Sequence, residues 1–241
     1  MNGVAGPILN APFERRLALR RVTILFGAYG SGKSEIALNL ATRLRQGGYD
    51  TALVDADFYK PLFRSGQFRG SMQRRGIRVI LPPGELAGAD MAALPSDIYG
   101  VLEGGPNVVF DVGGEQGARV LGAMAGRFRP GTYEAFLVVN TRRPGADTAE
   151  GIASTAGRVQ AAARLPVTGL VANTNLGEAS TVEVAIEGYK LVSEAGRRLT
   201  LPVAFAALDE RLVDRLSRDD FPVPVLTVRR FLLPPWEQED E

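Results

Sequence analysis

Val22-Thr23-Ile24-Leu25-Phe26 runs without a break into Gly27-Ala28-Tyr29-Gly30-Ser31-Gly32-Lys33-Ser34, and Ile36, Ala37, Leu40, Ala41 and Leu44 then recur at helical spacing. A buried-strand pattern, a loop of the form G-x-x-x-x-G-K-[ST] and an amphipathic helix, in that order, describe a phosphate-binding loop. The backbone N–H groups of Gly30, Ser31 and Gly32, backed by the positive end of the helix, form an anion cradle that glycine lets a phosphate approach closely. Lys33 then lies along β- and γ-phosphate oxygens, and the Ser34 hydroxyl reaches Mg²⁺, whose octahedral shell is completed by phosphate oxygens and water. Without its flanks the same octapeptide would be an ordinary glycine-rich turn. The strand before it, the helix after it and the Gly47-Gly48 stop favour the phosphate loop.

Apolar runs that suit buried strands recur at 22–26, 51–54, 77–81, 108–110, 136–139, 167–172, 203–205 and 223–228. Helical periods separate most of them, at 33–46, 116–127, 148–164, 181–199 and 209–218. Asp147 with Glu150 and Ser180 with Glu183 have the spacing of reciprocal helix caps. Such alternation predicts crossover units and an α/β fold: three layers, doubly wound, with a mostly parallel sheet covered on both faces and ligands at the carboxyl ends of the strands. Residues 1–20 have no sustained period and are expected to be an arm, packed on the domain or partly disordered, 82–106 carry enough Pro and Gly for an irregular excursion, and 234–241 read as an acidic tail on what is expected to be one domain.

The chain of 241 residues contains no Cys and no His, so it has no disulfide, no thiolate metal site and no imidazole base, and any proton transfer falls to carboxylates, lysine or water. A net charge of +1 without a basic stripe gives no strong signal for nucleic acid. No segment has the apolar length of a signal peptide or a membrane span, so a cytoplasmic protein is expected.

Two predicted strands end in acids, one in Asp55-Ala56-Asp57 and the other in Asp111-Val112-Gly113-Gly114. A carboxylate at this edge can receive a water from the Mg²⁺ shell, which suits Asp111, and a second can orient the attacking water. Gly113 or Gly114 lets backbone come close to a γ-phosphate and move when it leaves; a tight turn and helix capping are the plainer uses of these residues.

In order, G-A-Y-G-S-G-K-S, D-A-D and V-V-F-D-V-G-G resemble the MinD/ParA branch of phosphate-loop ATPases, over roughly residues 20–228, and D-A-D-F-Y-K-P-L-F-R-S, D-V-G-G-E-Q-G-A and G-L-V-A-N-T-N-L-G-E are more closely similar to a set of bacterial ATP-binding proteins within it. That branch includes nitrogenase iron protein and relatives of cobyrinate amidases and dethiobiotin synthetase. The resemblance implies ATP and Mg²⁺ as ligands. The implied nucleotide-binding set is Gly27, Ala28, Tyr29, Gly30, Ser31, Gly32, Lys33, Ser34 and Glu35, with Gly114 and Asn173. It also implies Lys33 and Asp57 as catalytic residues and Ser34, Asp57 and Asp111 around the metal, with Asp57 orienting water and Asn173 reading the adenine edge. An amide offers the donor and acceptor that adenine N7 and N6 require, and Asn173-Thr174-Asn175-Leu176 lacks the Lys and Asp that follow the Asn of guanine readers.

One position departs from the branch. Its members carry an early loop lysine that reaches the nucleotide of a dimer partner, and here that position is Ala28. Slow hydrolysis follows unless another cation substitutes, for which Arg64, Arg69 and Arg142 are the candidates, and a homodimer across the nucleotide is less strongly implied. Three readings remain open: an ATPase switch on a partner protein, a small-molecule kinase or ligase with Lys60, Arg64, Glu115 and Gln116 near its acceptor, and a DNA-associated positioning ATPase.

Overall fold

The computed structural model describes residues 8–10, 16–56, 66–81, 96–217 and 219–232. Ten strands, β1 (Ile8–Asn10), β2 (Arg16–Ala18), β3 (Val22–Phe26), β4 (Thr51–Asp55), β5 (Arg78–Ile80), β6 (Asn107–Asp111), β7 (Tyr133–Val139), β8 (Gly169–Ala172), β9 (Val203–Asp209) and β10 (Val225–Val228), are described. Six α-helices join them: α1 (Lys33–Gln46), α2 (Gly66–Arg74), α3 (Ser96–Glu103), α4 (Gly114–Gly122), α5 (Ala149–Ala163) and α6 (Val182–Leu199). Eight strands form one sheet in the order β10-β9-β8-β7-β3-β6-β4-β5, and every neighbouring pair is parallel. The predicted α/β architecture therefore holds, with the main sheet wholly parallel.

Alternate residues of each strand enter different cores because successive side chains point to opposite faces. Ile24, Val54, Phe110 and Leu137 pack on one face with Ala118 and Leu121 of α4, Ile152 of α5 and Val192 of α6. Leu25, Leu53, Val109 and Val138 pack on the other with Ile36, Leu40 and Leu44 of α1 and with Met72. Strand β3, buried at all five residues, lies between β6 and β7, where the winding reverses. The crevice at its carboxyl end is thus the switch point where α/β sheets bind ligands.

Several local expectations change. The arm contributes an antiparallel pair, β1 with β2, and buries Leu17 and Leu19 beside α1. The expected excursion at 82–106 includes α3, which Gly104-Gly105 follow; residues 82–95 lie outside the described residues. The helix expected over 116–127 stops at Gly122, where a Cβ would lie 2.5 Å from the Ala162 carbonyl oxygen, and 3₁₀ turns replace its end at Ala125–Arg127. The helix expected over 209–218 is a 3₁₀ segment, Glu210–Arg215. The caps shift by one residue: Thr148 accepts from Gly151 N–H and Thr181 from Val184 N–H, while Asp147 accepts from Gly145 N–H and Ser180 from Leu176 N–H in the preceding turns.

Helix α6 ends at Thr200 in the left-handed region, φ 55, where a β-branched side chain is disfavoured. Thr200→Gly is expected to stabilise the protein by about 1 kcal/mol, seen as a melting temperature about 2–4 °C higher. A lower melting temperature would show that the threonine side chain contributes more than its backbone strain removes.

Candidate functional site

Strand β3 delivers the glycine loop to the switch point. Gly30 (φ 75) and Gly32 (φ 84) both take left-handed conformations that close the loop, Ser31 N–H bonds the Ala28 carbonyl at 3.1 Å, and Ile36 N–H opens α1 on the Gly32 carbonyl at 3.0 Å. A Cβ at Gly27 would lie 2.3 Å from Ser31 Oγ and 3.0 Å from the Val138 carbonyl oxygen, and one at Gly32 would lie 2.2 Å from Asn173 Nδ2, so a side chain at either position displaces a neighbour and at Gly32 also meets an unfavourable φ. No side chain caps the N-terminus of α1, whose first N–H groups have no intrahelical acceptors. Lys33 is 7% exposed and Ser34 5% exposed at this uncapped end, and Lys33 makes no ion pair among the described residues. An ammonium withdrawn from water without a carboxylate, beside free helix N–H groups, fits a polyphosphate. Tyr29, also in the expected set, is 85% exposed at the loop.

The carboxylates stand on one side of β3. Asp111 ends β6, Asp55 ends β4, the parallel register pairs them, and both are 1% exposed. Val112 N–H bonds the Leu25 carbonyl at 3.0 Å and Ala56 N–H bonds the Asp111 carbonyl at 2.8 Å, which ties these strand ends to the one that carries the loop. Asp55, a strand-end acid outside the set that the resemblance implies, is the one that the register places opposite Asp111. Asp57 and the candidates Lys60 and Arg64 lie outside the described residues. Gly113 is the N-cap of α4, and Gly114 (φ 57) opens that helix with free space where a Cβ would be. Gly117 brings α4 to within 2.5 Å, measured from its would-be Cβ, of the Ala56 carbonyl. Among the described residues no three acidic groups form a metal cage. One hydroxyl and one or two carboxylates suit Mg²⁺, which keeps water and takes phosphate oxygens as ligands.

The other side of β3 is amide-rich. Asn173 follows β8, is buried, and donates from Nδ2 to the Ser31 carbonyl at 2.7 Å. The Asn140 Oδ1 accepts from the N–H groups of Arg142 and Asn175, its Nδ2 donates to the Asn175 carbonyl, and the Thr141 and Thr174 hydroxyls pair at 3.0 Å. These bonds lock the loops after β7 and β8 together beside the phosphate loop. Arg142, one candidate cation, is turned to Glu187, and Arg69 is exposed on α2. Its neighbour Arg143 instead reaches the loop, donating from Nε to the Gly30 carbonyl at 3.2 Å. No sequence signal separates these adjacent arginines.

A cavity of about 250 Å³ opens beside the loop, lined among others by Gly30, Gly32, Asn173, Leu208, Asp209 and Arg230. Both carboxylates that line it are engaged. Arg211 holds Asp209 through Nε to Oδ1 at 2.9 Å and Nη2 to Oδ2 at 2.8 Å, and the bonds and charge of Arg211 depress the Asp209 pKa. Glu35 accepts the N–H groups of Phe231 and Leu232. Asn39, one turn further along α1, bonds both the carbonyl and the N–H of Arg229 at 2.9 Å. The expected nucleotide residue Glu35 thus uses its side chain to fasten the segment after β10.

Residues 22–198 match the family model described as the CobQ/CobB/MinD/ParA nucleotide binding domain, and the chain belongs to that family. Among solved structures it is similar in fold to cell division protein FtsY from Thermotoga maritima, at 24% identity and a TM-score of 0.54 over 83% of this chain and 64% of that one. It is also similar to the signal recognition particle 54 kDa protein of Aeropyrum pernix K1 in complex with GDP, at 22% identity and a TM-score of 0.50 over 77% of this chain and 40% of that one. FlhF complexed with GTP/Mg²⁺ matches at 14% identity and a TM-score of 0.51 over 76% of this chain and 64% of that one. The chain spans less than two thirds of the length of each of these. No curated protein matches its sequence. The chain is therefore a MinD/ParA-like phosphate-loop nucleotide-binding protein, and among the described residues no helix is long and apolar enough to cross a membrane.

Burial raises the Glu35 pKa against the opposing effect of the Phe231 and Leu232 N–H groups and Arg230. A carboxyl whose folded-state pKa is raised adds stability below its unfolded pKa and loses that contribution as pH rises through the folded value. The melting-temperature difference, wild type minus Glu35→Gln, is expected to be most positive at acid pH and to fall as pH approaches neutrality. A pH-independent difference would show that Glu35 is not strained by burial.

Proposed function

We propose that the chain binds Mg·ATP at this loop, hydrolyses it slowly and works as a nucleotide-dependent switch on a partner protein in the cytoplasm. The observation that carries the reading is Lys33, buried at the uncapped head of α1 with no ion pair among the described residues. A triphosphate supplies the missing negative charge and accepts the loop N–H groups. When bound, Mg²⁺ neutralises charge on the β- and γ-phosphates; Ser34 would ligate it and Asp111 would hold one of its waters. Asp57 is assigned to orient the attacking water, and Gly114 to sense the γ-phosphate. Slow turnover is inferred from Ala28, which leaves the site without the loop lysine of the branch.

Adenine is favoured over guanine by the cavity chemistry. Guanine presents N1–H and N2–H donors that a free carboxylate satisfies, and here Asp209 is held by Arg211 and Glu35 by backbone N–H groups. Asn173 spends one amide hydrogen on Ser31 and retains a second hydrogen and its oxygen for N7 and N6 of adenine. The guanine nucleotides named for the structures above belong to chains 14% and 22% identical to this one, and base choice rests on cavity side chains that such a likeness does not carry.

A thermal-shift panel of ATP, ADP and GTP with and without Mg²⁺ tests the reading. ATP at about a hundred times its Kd is expected to add about 2.7 kcal/mol, Lys33→Ala to abolish the shift, and Asn173→Ala to narrow the preference of ATP over GTP. Equal stabilisation by ATP and GTP would refute the base assignment, and an unchanged ATP shift in Lys33→Ala would refute the cradle. Asp57→Ala is expected to keep ATP affinity while phosphate release falls at least tenfold, and parallel loss of both would remove Asp57 from the water-orienting role.

A further inference from the structure

Arg143 touches the phosphate loop without being neutralised. Its Nε bonds the Gly30 carbonyl, and a Cβ built on Gly30 would lie 2.9 Å from that nitrogen and 3.2 Å from the guanidinium carbon. Neighbouring arginines are matched with acids, Arg142 with Glu187, Arg158 with Glu115, Arg211 with Asp209 and Arg230 with Glu178, whereas Arg143 has no ion pair among the described residues. The side chain is exposed, yet it stands on a firm base: Arg143 N–H bonds the Asn140 carbonyl at 3.1 Å and Ala146 N–H bonds the Arg143 carbonyl at 3.0 Å. Nε is occupied, and Arg143 lines the cavity together with Gly30 and Gly32, which leaves its two terminal nitrogens, without a hydrogen bond among the described residues, for a ligand there.

The sheet order decides which phosphates this cation meets. Asp111 and Asp55 end β6 and β4 on one side of β3, and the metal and the γ-phosphate belong with them. Arg143 follows β7 on the opposite side, with Asn173 and the nucleoside cavity. We propose that Arg143 clamps the α- and β-phosphates of the bound nucleotide in cis, its planar fork meeting two phosphate oxygens while Nε stays on Gly30. The clamp rests on the nucleotide-binding reading above and refines it. The chain thereby carries a second phosphate cation that Ala28 does not provide, placed on the diphosphate end so that it holds ATP and ADP alike. An arginine suits this place because its fork engages two oxygens at fixed geometry, which an ammonium does not reproduce.

Calorimetric titration of wild type, Arg143→Ala and Arg143→Lys with Mg·ATP, Mg·ADP and inorganic tripolyphosphate tests the clamp. Arg143→Ala is expected to weaken all three ligands by the same factor, about ten- to a hundredfold, and Arg143→Lys to restore part of the loss. Unchanged ADP affinity, or a loss confined to ATP, would overturn the proposal by removing the contact or moving it to the γ-phosphate. Weaker nucleotide binding with unaltered tripolyphosphate affinity would overturn it by showing that the side chain packs on the nucleoside. A wild-type protein that binds none of the three would refute the nucleotide site itself, a result distinct from any of these. Unchanged melting temperatures of the unliganded variants, expected for an exposed side chain, keep a folding defect from imitating the loss.

Discussion

A parallel sheet covered on both faces sends the carboxyl ends of all its strands to one edge, and everything functional in this protein is arranged by that constraint. With all eight strands parallel, the loop after β3, the acids ending β4 and β6, the arginines after β7 and the amides after β8 emerge along a single crevice. Near-continuous apolar strands are the condition for this. Leu25, Leu53, Val109, Val138 and Val171 face one helical layer, and their neighbours in sequence face the other, so neither face can be left to solvent. Polar chemistry is pushed to the strand ends because the strands themselves have no room for it.

Lys33 sets the electrostatic character of that edge. Placing an ammonium at the positive end of a helix is unfavourable by about 0.3–1 kcal/mol even on a surface, and withdrawing it from water without an acid adds to the cost. Asp55 and Asp111 are buried at the ends of β4 and β6, on one side of the strand that carries the loop. The fold thus keeps its carboxylates for one flank and its loop cation for the centre, an arrangement that an internal salt bridge would collapse. An anion would answer the lysine and a metal ion the acids, which is why the proposed Mg·nucleotide suits this edge.

The central unit was fully legible in the sequence because three independent signals coincide there: the apolar strand, the glycine spacing and the helical period. Helix α1 spans 33–46 in both the expectation and the structure. Legibility falls where one signal has two explanations. Helix α3 lies in a stretch whose Pro95 and Gly104-Gly105, with little periodicity between them, suggest a loop from sequence alone. Asp147 and Ser180 each precede a threonine that is equally able to cap, and the backbone entry angle, which sequence does not record, selects the threonine. Asp55 and Asp57 are both acids at one strand end, and only the pairing register puts Asp55 opposite Asp111. Arg142 and Arg143 differ by one position on a turn, which sends one toward α6 and the other across the glycine loop; composition carries no trace of that choice.

Helix α1 joins the phosphate loop to the end of the described chain. Its first turn holds Lys33 and Ser34 toward the crevice, while Glu35 and Asn39, four residues apart and therefore on one stripe, grip the backbone of Arg229, Phe231 and Leu232. Phe231 adds a stacking contact with Arg75, at 5.6 Å, and packs against the same core cluster as Leu40 and Leu44. The segment so fastened carries Arg230 to the cavity wall, where it pairs with Glu178 from the loop after β8. The cavity is therefore closed on one side by a strap whose anchor is the residue next to Ser34. A carboxylate, not a hydrophobe, occupies position 35 because two successive backbone N–H groups arrive there without strand partners, and a single acidic side chain satisfies both.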